Sequence, residues 1–275
     1  MSAEILAFPS GAPAARSAPS GAGGAAPAAG GAPVLVGCSH GTSDLTGRAV
    51  VRALLDDVRA ARPDLDVREA FVDVQQPEVA DVVTSVVAPD EGAPRDAVVV
   101  PLLLSGGFHV GVDVAAAVED RGPGAGRAAA GTPLGPDPRL VDLLAERLVE
   151  AGVRPDDAVV VAAAGSSRPG AARDVERLAA GLRELHAGPV TVGYGAMASP
   201  TVTEAVAAAR AALGGTGAPD GPRVVVAAYL LAPGFFHDRL LEAGADVVTA
   251  PLAPDARLTA IVLDRYADAA ATLVR

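Results

Sequence analysis

The chain has 275 residues, half of them hydrophobic, and 22 Lys and Arg against 33 Asp and Glu, for a net charge of −11. So acidic a chain is a poor match for a general binder of nucleic acid or anionic membrane, both of which select positive charge. A single cysteine, Cys38, excludes an internal disulfide framework and a cysteine-based zinc cluster, and an aromatic content of 3% without Trp argues against stacking platforms for single strands.

Residues 1–32 are rich in Gly, Ala, Pro and Ser, with almost no large apolar side chain after Phe8. They read as a disordered tail, because they bury too little to offset the entropy of ordering. They lack the basic start and apolar stretch of a signal peptide, and no later segment approaches the length of a membrane span. A cytoplasmic protein is the expectation.

From Val34 onward, short apolar runs alternate with helical patterns. The first strand is predicted at 34–39 and a helix at 46–61, stopped by Pro63. A strand at 66–73, a helix at 77–88, a strand at 96–104 and a helix near 109–120 follow. A weak strand near 127–131 and a helix at 138–151, ending at Gly152, complete the first half. The pattern then repeats: strand 157–163, helix 170–186, strand 189–195, helix 201–213, strand 223–231, helix 235–243, strand 246–249 and helix 255–272. Continuous apolar strands imply parallel sheets covered on both faces. The βα alternation implies an α/β protein of two similar lobes, each a four-stranded parallel sheet flanked by helices. The expected division is 1–32 tail, 33–152 N-terminal lobe and 153–275 C-terminal lobe.

Short motifs repeat with the elements. Cys38-Ser-His-Gly-Thr-Ser43 corresponds to Ala162-Ala-Ala-Gly-Ser-Ser167, Phe71-Val-Asp-Val-Gln-Gln-Pro77 to Tyr194-Gly-Ala-Met-Ala-Ser-Pro200, and Pro101-Leu-Leu-Leu-Ser-Gly-Gly-Phe-His109 to Tyr229-Leu-Leu-Ala-Pro-Gly-Phe-Phe-His237. Residues 40 and 164, 77 and 200, and 109 and 237 stand 124, 123 and 128 apart, and Pro136-Asp137 recurs as Pro254-Asp255. Matches kept in the same order point to an internal duplication.

Three of the four histidines, His40, His109 and His237, follow a predicted strand. Ligands of open parallel sheets bind outside the carboxyl ends of the strands. Two imidazoles brought together there, from His40 and His109, suit a divalent transition metal. Asp73, at the end of the second strand, either serves the same crevice as a metal or proton acceptor or caps the next helix. His186 sits in a last helical turn, where it complements the helix dipole. The loop His40-Gly-Thr-Ser-Asp44 and its counterpart at Ser166, Ser167 and Arg168 offer either backbone N–H groups for an anion or ordinary helix caps. The chain lacks a phosphate loop, a dinucleotide fingerprint after the first strand and a serine nucleophile elbow.

These motifs resemble those of the sirohydrochlorin chelatases of the CbiX/SirB type, in the class II chelatase group. The resemblance rests on Val-Gly-Cys-Ser-His40-Gly-Thr, Ala70-Phe-Val-Asp-Val-Gln-Gln-Pro-Glu78 and Val-Pro-Leu-Leu-Leu-Ser-Gly-Gly-Phe-His109-Val, and covers residues 33 to 272. It implies two α/β lobes facing across a cleft that holds the tetrapyrrole, with the metal presented by His40 and His109. The family often carries Glu where this sequence has Asp73, and the shorter carboxylate argues for a catalytic role without direct coordination. In the second half Ala164 and Ala196 replace the first His and the acid, so that half keeps only His237, as a cleft residue. Substrate contacts are assigned to Ser39, Thr42, Ser43, Ser105, Ser166, Arg168 and His237.

The implied reaction inserts a divalent metal, Fe²⁺ in preference, into sirohydrochlorin without ATP and without a permanently bound cofactor. Co²⁺ insertion on the cobalamin route is the runner-up, and a non-catalytic metal or tetrapyrrole carrier the rival from another class. A histidine phosphatase would need Arg where Ser39 stands and leaves the duplication unexplained. Two lobes fused in one chain, related by an internal pseudo-two-fold, imply a monomer.

Overall fold

The computed structural model describes residues 31–107, 110–214 and 221–273. The tail expected over residues 1–32 therefore lies almost wholly outside the described residues, and so does His109.

The first half contains β1 (Val34–Ser39), α1 (Leu45–Ala61), β2 (Val67–Phe71), α2 (Val79–Val87), β3 (Ala97–Pro101), α3 (Ala115–Ala117), β4 (Ala128–Ala130) and α4 (Pro138–Glu150). The second contains β5 (Ala158–Ala163), α5 (Pro169–Leu185), β6 (Val190–Tyr194), α6 (Val202–Ala212), β7 (Val224–Tyr229), α7 (Phe235–Leu241), β8 (Val247–Val248) and α8 (Ala256–Leu273). They form two four-stranded parallel sheets, ordered β2-β1-β3-β4 and β6-β5-β7-β8. The inner strands β1, β3, β5 and β7 are buried at every residue, in keeping with apolar runs that do not alternate with charged residues. The outer strands admit polar residues, such as Arg68 and Glu69 in β2 and Thr191 in β6.

The two halves repeat in fine detail. Phe71 N–H donates to the Pro77 carbonyl and Tyr194 N–H to the Pro200 carbonyl, both at 3.0 Å. The peptide bonds before Pro77, Pro136, Pro200 and Pro254 are all cis. Val74 and Met197, in matching turns, both have positive φ.

The last helix of each half packs on the sheet of the other half: α4 against β7, and α8 against β3 and β4. The contacts are reciprocal, as a two-fold relation demands. Arg147 of α4 donates to the Pro251 carbonyl at 3.1 Å, and its counterpart Arg265 of α8 donates to the Pro133 carbonyl at 3.0 Å. Arg139 pairs with Asp264 across the halves, and Arg257 pairs with Glu146. One apolar core, including Leu35, Val98, Leu140, Val161, Leu178 and Ile261, therefore runs between both sheets. Tyr229 Oη, from β7, donates to the Leu104 carbonyl of the first half at 2.9 Å.

The third strand, predicted to reach residue 104, ends at Pro101, and Leu102 N–H makes the last rung to β1, donating to the Cys38 carbonyl at 2.7 Å. The second strand, predicted to reach 73, ends at Phe71, and the chain turns at Val74. The helix predicted near 109–120 is a π-helical turn, Val110–Val114, running into the three residues of α3. Gly111 between β-branched valines disfavours a regular α-helix there, and π-turns concentrate at functional sites.

Candidate active site

In the first sheet the chain leaves β1 toward β2 on one side, while β3 lies on the other. Such a switch point opens a crevice at the carboxyl ends of the strands. His40 follows β1 directly and is half-exposed there, with Nε2 4.0 Å from Asp73 Oδ2 at the end of β2. Asp73 does not cap α2: the N-cap is Glu78, which makes no side-chain cap bond. The capping reading of Asp73 is thus not met, and its carboxylate lies beside His40.

The loop around His40 is held by its own polar groups. Asp44 caps α1, its Oδ1 accepting from Gly47 N–H at 2.6 Å. Thr42 Oγ1 accepts from Asp44 N–H, and Thr42 N–H donates to Gln75 Oε1 at 2.9 Å. Gln75 thereby ties the loop after β1 to the turn after β2. Gly41 makes the close approach possible. Its φ is +88°, and a Cβ there would lie 3.1 Å from Gln75 N and 3.4 Å from the Asp73 carbonyl oxygen. A left-handed residue without a side chain is the requirement at this point.

Cys38 sits beneath the site, fully buried, and its thiol is pushed up to about 12, first by burial and then by the charge of Asp113. It stays a thiol at neutral pH, a poor metal ligand. Asp113, on the π-turn, is a residue the sequence reading passed over; the signal available was its position four residues after His109. Among the described residues no three His, Cys, Asp or Glu side chains form a metal centre. His40 and Asp73 are two donors, and the second predicted imidazole, His109, lies outside the described residues.

Ser39 is buried, Thr42 is taken up by the loop bonds, and Ser43 is exposed. The remaining predicted residues gather where the halves meet. Ser105 precedes Gly106, whose N–H donates to Asp174 Oδ2 of α5 at 3.1 Å. A Cβ on Gly107 would lie 3.5 Å from Ser166 Oγ, and the Arg168 guanidinium lies over the backbone of Gly111. The loop after β3 thus abuts the loop after β5. In the reciprocal place, Gly234 after β7 approaches Thr42 and Asp44 after β1. Ser166 Oγ accepts from Arg168 N–H at 3.2 Å. His237 turns inward, Nε2–H donating to the Thr249 carbonyl at 3.3 Å within its own half. His186 is structural by a contact other than the helix dipole, with Nε2–H donating to the Asp157 carbonyl at 2.7 Å.

The family model for CbiX matches residues 34–151 and again 158–269. SirB from Bacillus subtilis, solved with Fe³⁺, superposes with a TM-score of 0.70 at 22% identity, over 88% of this chain and 96% of that one. SirB from Bacillus subtilis subspecies spizizenii, a sirohydrochlorin chelatase solved in complex with cobalt, gives 0.67 at 20% identity, over 88% and 96%. CbiX, described as the terminal enzyme of sirohaem biosynthesis in denitrifying bacteria, gives 0.59 at 18% identity, over 86% and 98%. At these identities the likeness is one of fold. No curated protein sequence matches the chain.

Proposed function

This chain belongs to the CbiX family, and from that membership we propose that it is a sirohydrochlorin chelatase, a lyase that inserts a divalent metal into the tetrapyrrole without ATP. The observation that carries this reading is the half-exposed His40 facing Asp73 across 4.0 Å at the carboxyl ends of adjacent strands. The second half has Ala164 and Ala196 at the corresponding places.

The reaction exchanges two pyrrole N–H protons for one M²⁺, so charge balances without a nucleotide. The metal is a substrate that must be held and then released. Neutral imidazoles suit this, binding transition metals without the permanence of thiolates. His40 and His109 present the metal from one wall of the crevice. Asp73, beside His40, takes the departing proton. The second half closes the opposite wall, and its loop residues Ser166 and Arg168 reach the loop after β3.

Fe²⁺ is the preferred metal, giving sirohaem, with Co²⁺ second; imidazole donors alone do not separate the two. The protein acts as a monomer in the cytoplasm, since the chain already contains both walls of its cleft. No described helix is long and apolar enough to cross a membrane.

The test is the absorbance change of anaerobic sirohydrochlorin with Fe²⁺ or Co²⁺, using the native chain, His40→Ala and His109→Ala. Rapid insertion by the native chain, reduced to the uncatalysed rate in both variants, is the expected result. No acceleration with either metal refutes the chelatase. Tight binding without turnover identifies a carrier instead.

A further inference from the structure

The second half has lost the His and the acid of the first, yet it holds a groove of about 740 Å³ at the carboxyl end of β6, between that strand and the first turns of α5. Arg173, Arg177, Tyr194 and Ser199 line it, together with the carboxylate of Glu176. The internal repeat supplies a control for each of these residues. The helices α1 and α5 run in register 124 residues apart, so Ala49 and Ala53 correspond to Arg173 and Arg177. Strands β2 and β6 align 123 apart, so Phe71 corresponds to Tyr194, and Gln76 to Ser199. The two guanidiniums and the phenol hydroxyl are therefore additions that the fold, as built in the first half, does without.

Tyr194 makes the point most directly. Phe71 and Tyr194 are 2% and 3% exposed, so the ring fills the same space in both halves. The Tyr194 hydroxyl makes no hydrogen bond to any described residue. The hydroxyl is open to the groove, where Phe71 offers only a ring edge. Burial, and then the nearby Glu176 carboxylate, push the phenol upward, so it remains an O–H donor at neutral pH.

The charges around it are unevenly satisfied. Glu176 pairs with Arg183 at 3.2 Å, and Asp174 with Arg177 at 2.5 Å. Arg173 makes no hydrogen bond or ion pair with a described residue. The start of α5 has no side-chain cap, its N-cap being Arg168. Asp174, next to Arg173, accepts the Gly106 N–H, which puts the groove beside the loop that leads to His109.

We propose that this groove is an oxyanion site, in which Arg173 and the Tyr194 hydroxyl receive a carboxylate side arm of the tetrapyrrole. The assignment rests on the chelatase reading above. It explains how a protein of net charge −11 holds a polycarboxylate: local donors replace the favourable long-range field. It also gives the second half a role after the loss of its metal donors: it grips the rim of the substrate while the first half delivers the metal.

The experiment titrates metal-free sirohydrochlorin into the full chain and into Tyr194→Phe and Arg173→Ala, each of which restores the residue type of the first half and so keeps a packing the fold already uses. Binding weakens several-fold in Tyr194→Phe and about tenfold in Arg173→Ala, as for hydrogen bonds to a charged group. Metal insertion falls more at limiting than at saturating tetrapyrrole. A parallel titration with inorganic phosphate separates the sources of the anion. Phosphate binding that is lost in Arg173→Ala while sirohydrochlorin binding is unchanged overturns the assignment to the substrate. Variants that bind sirohydrochlorin as the native chain does overturn it too, and leave the chelatase reading intact. A native chain that does not bind sirohydrochlorin refutes the chelatase and this assignment together.

Discussion

Substituting Asp73 by Asn separates chemistry from stability. Its carboxylate stands 4.0 Å from His40 Nε2, and the two side chains are 62% and 43% exposed. Even two full unit charges at that distance in water would attract by only about 1 kcal/mol, which sets the upper bound. Exposure, salt and side-chain entropy reduce a pair of this kind to well under that. For a chain of this size about 1 kcal/mol moves Tm by roughly 2–4 °C, so Asp73→Asn lowers Tm by no more than about 2 °C. The catalytic effect is of another order. If Asp73 accepts a pyrrole proton, its loss slows insertion by roughly 10²–10⁴-fold. The assay pairs a thermal melt with anaerobic metal insertion into sirohydrochlorin, followed by absorbance. Asp73→Glu, the residue the family often carries, retains most of the native rate. An Asp73→Asn protein that inserts metal within about threefold of the native rate refutes the proton-accepting role. One that loses many degrees of Tm shows that Asp73 is structural after all.

Three further outcomes follow from the geometry. Gly41→Ala forces a side chain into a left-handed residue packed against Gln75 and Asp73; it destabilises by about 1–2 kcal/mol in urea denaturation and slows insertion. Asp157 is fully buried; burial would raise its pKa, but hydrogen bonds from Arg223 and Arg154 outweigh this and hold it below the ordinary value. Because its pKa is lower folded than unfolded, its contribution is complete above pH ~4 and disappears as pH falls through the folded value. Asp157→Asn therefore costs about 3 kcal/mol at pH 7 and flattens the acid limb of a stability-versus-pH curve, which a native-like limb in the variant contradicts. Tyr229→Phe removes the bond to the Leu104 carbonyl between the halves; chemical denaturation registers a loss of about 1–2 kcal/mol, and an unchanged midpoint counts against a role in joining them.

The order of elements, the duplication and the parallel sheets were legible in the sequence because each depends on local pattern. Val98-Val-Val and Val159-Val-Val are apolar without alternation, and Pro63 and Gly152 mark where helices stop. The loop after His40 was legible as a site or a cap, but the close approach of Gly41 to Gln75 and Asp73 was not. Element ends were less legible. The stretch 102–104 is as apolar as β3 itself, but the ladder to β1 ends with the Leu102 bond to the Cys38 carbonyl, and the Leu104 carbonyl then accepts from Tyr229 of the other half.

Tertiary structure alone decided the rest, because the deciding partners are far apart in the chain. Arg147 and Arg265 look like ordinary surface helix residues until each is found holding a loop of the opposite half. Asp73 reads equally as a cap or as a site residue until α2 is seen to start without it. The groove at Tyr194 joins residues of α5 to the end of β6, and its meaning rests on a hydroxyl with no partner among the described residues. Periodicity records which face of an element is buried; what lies against that face is set by partners tens to more than a hundred residues away.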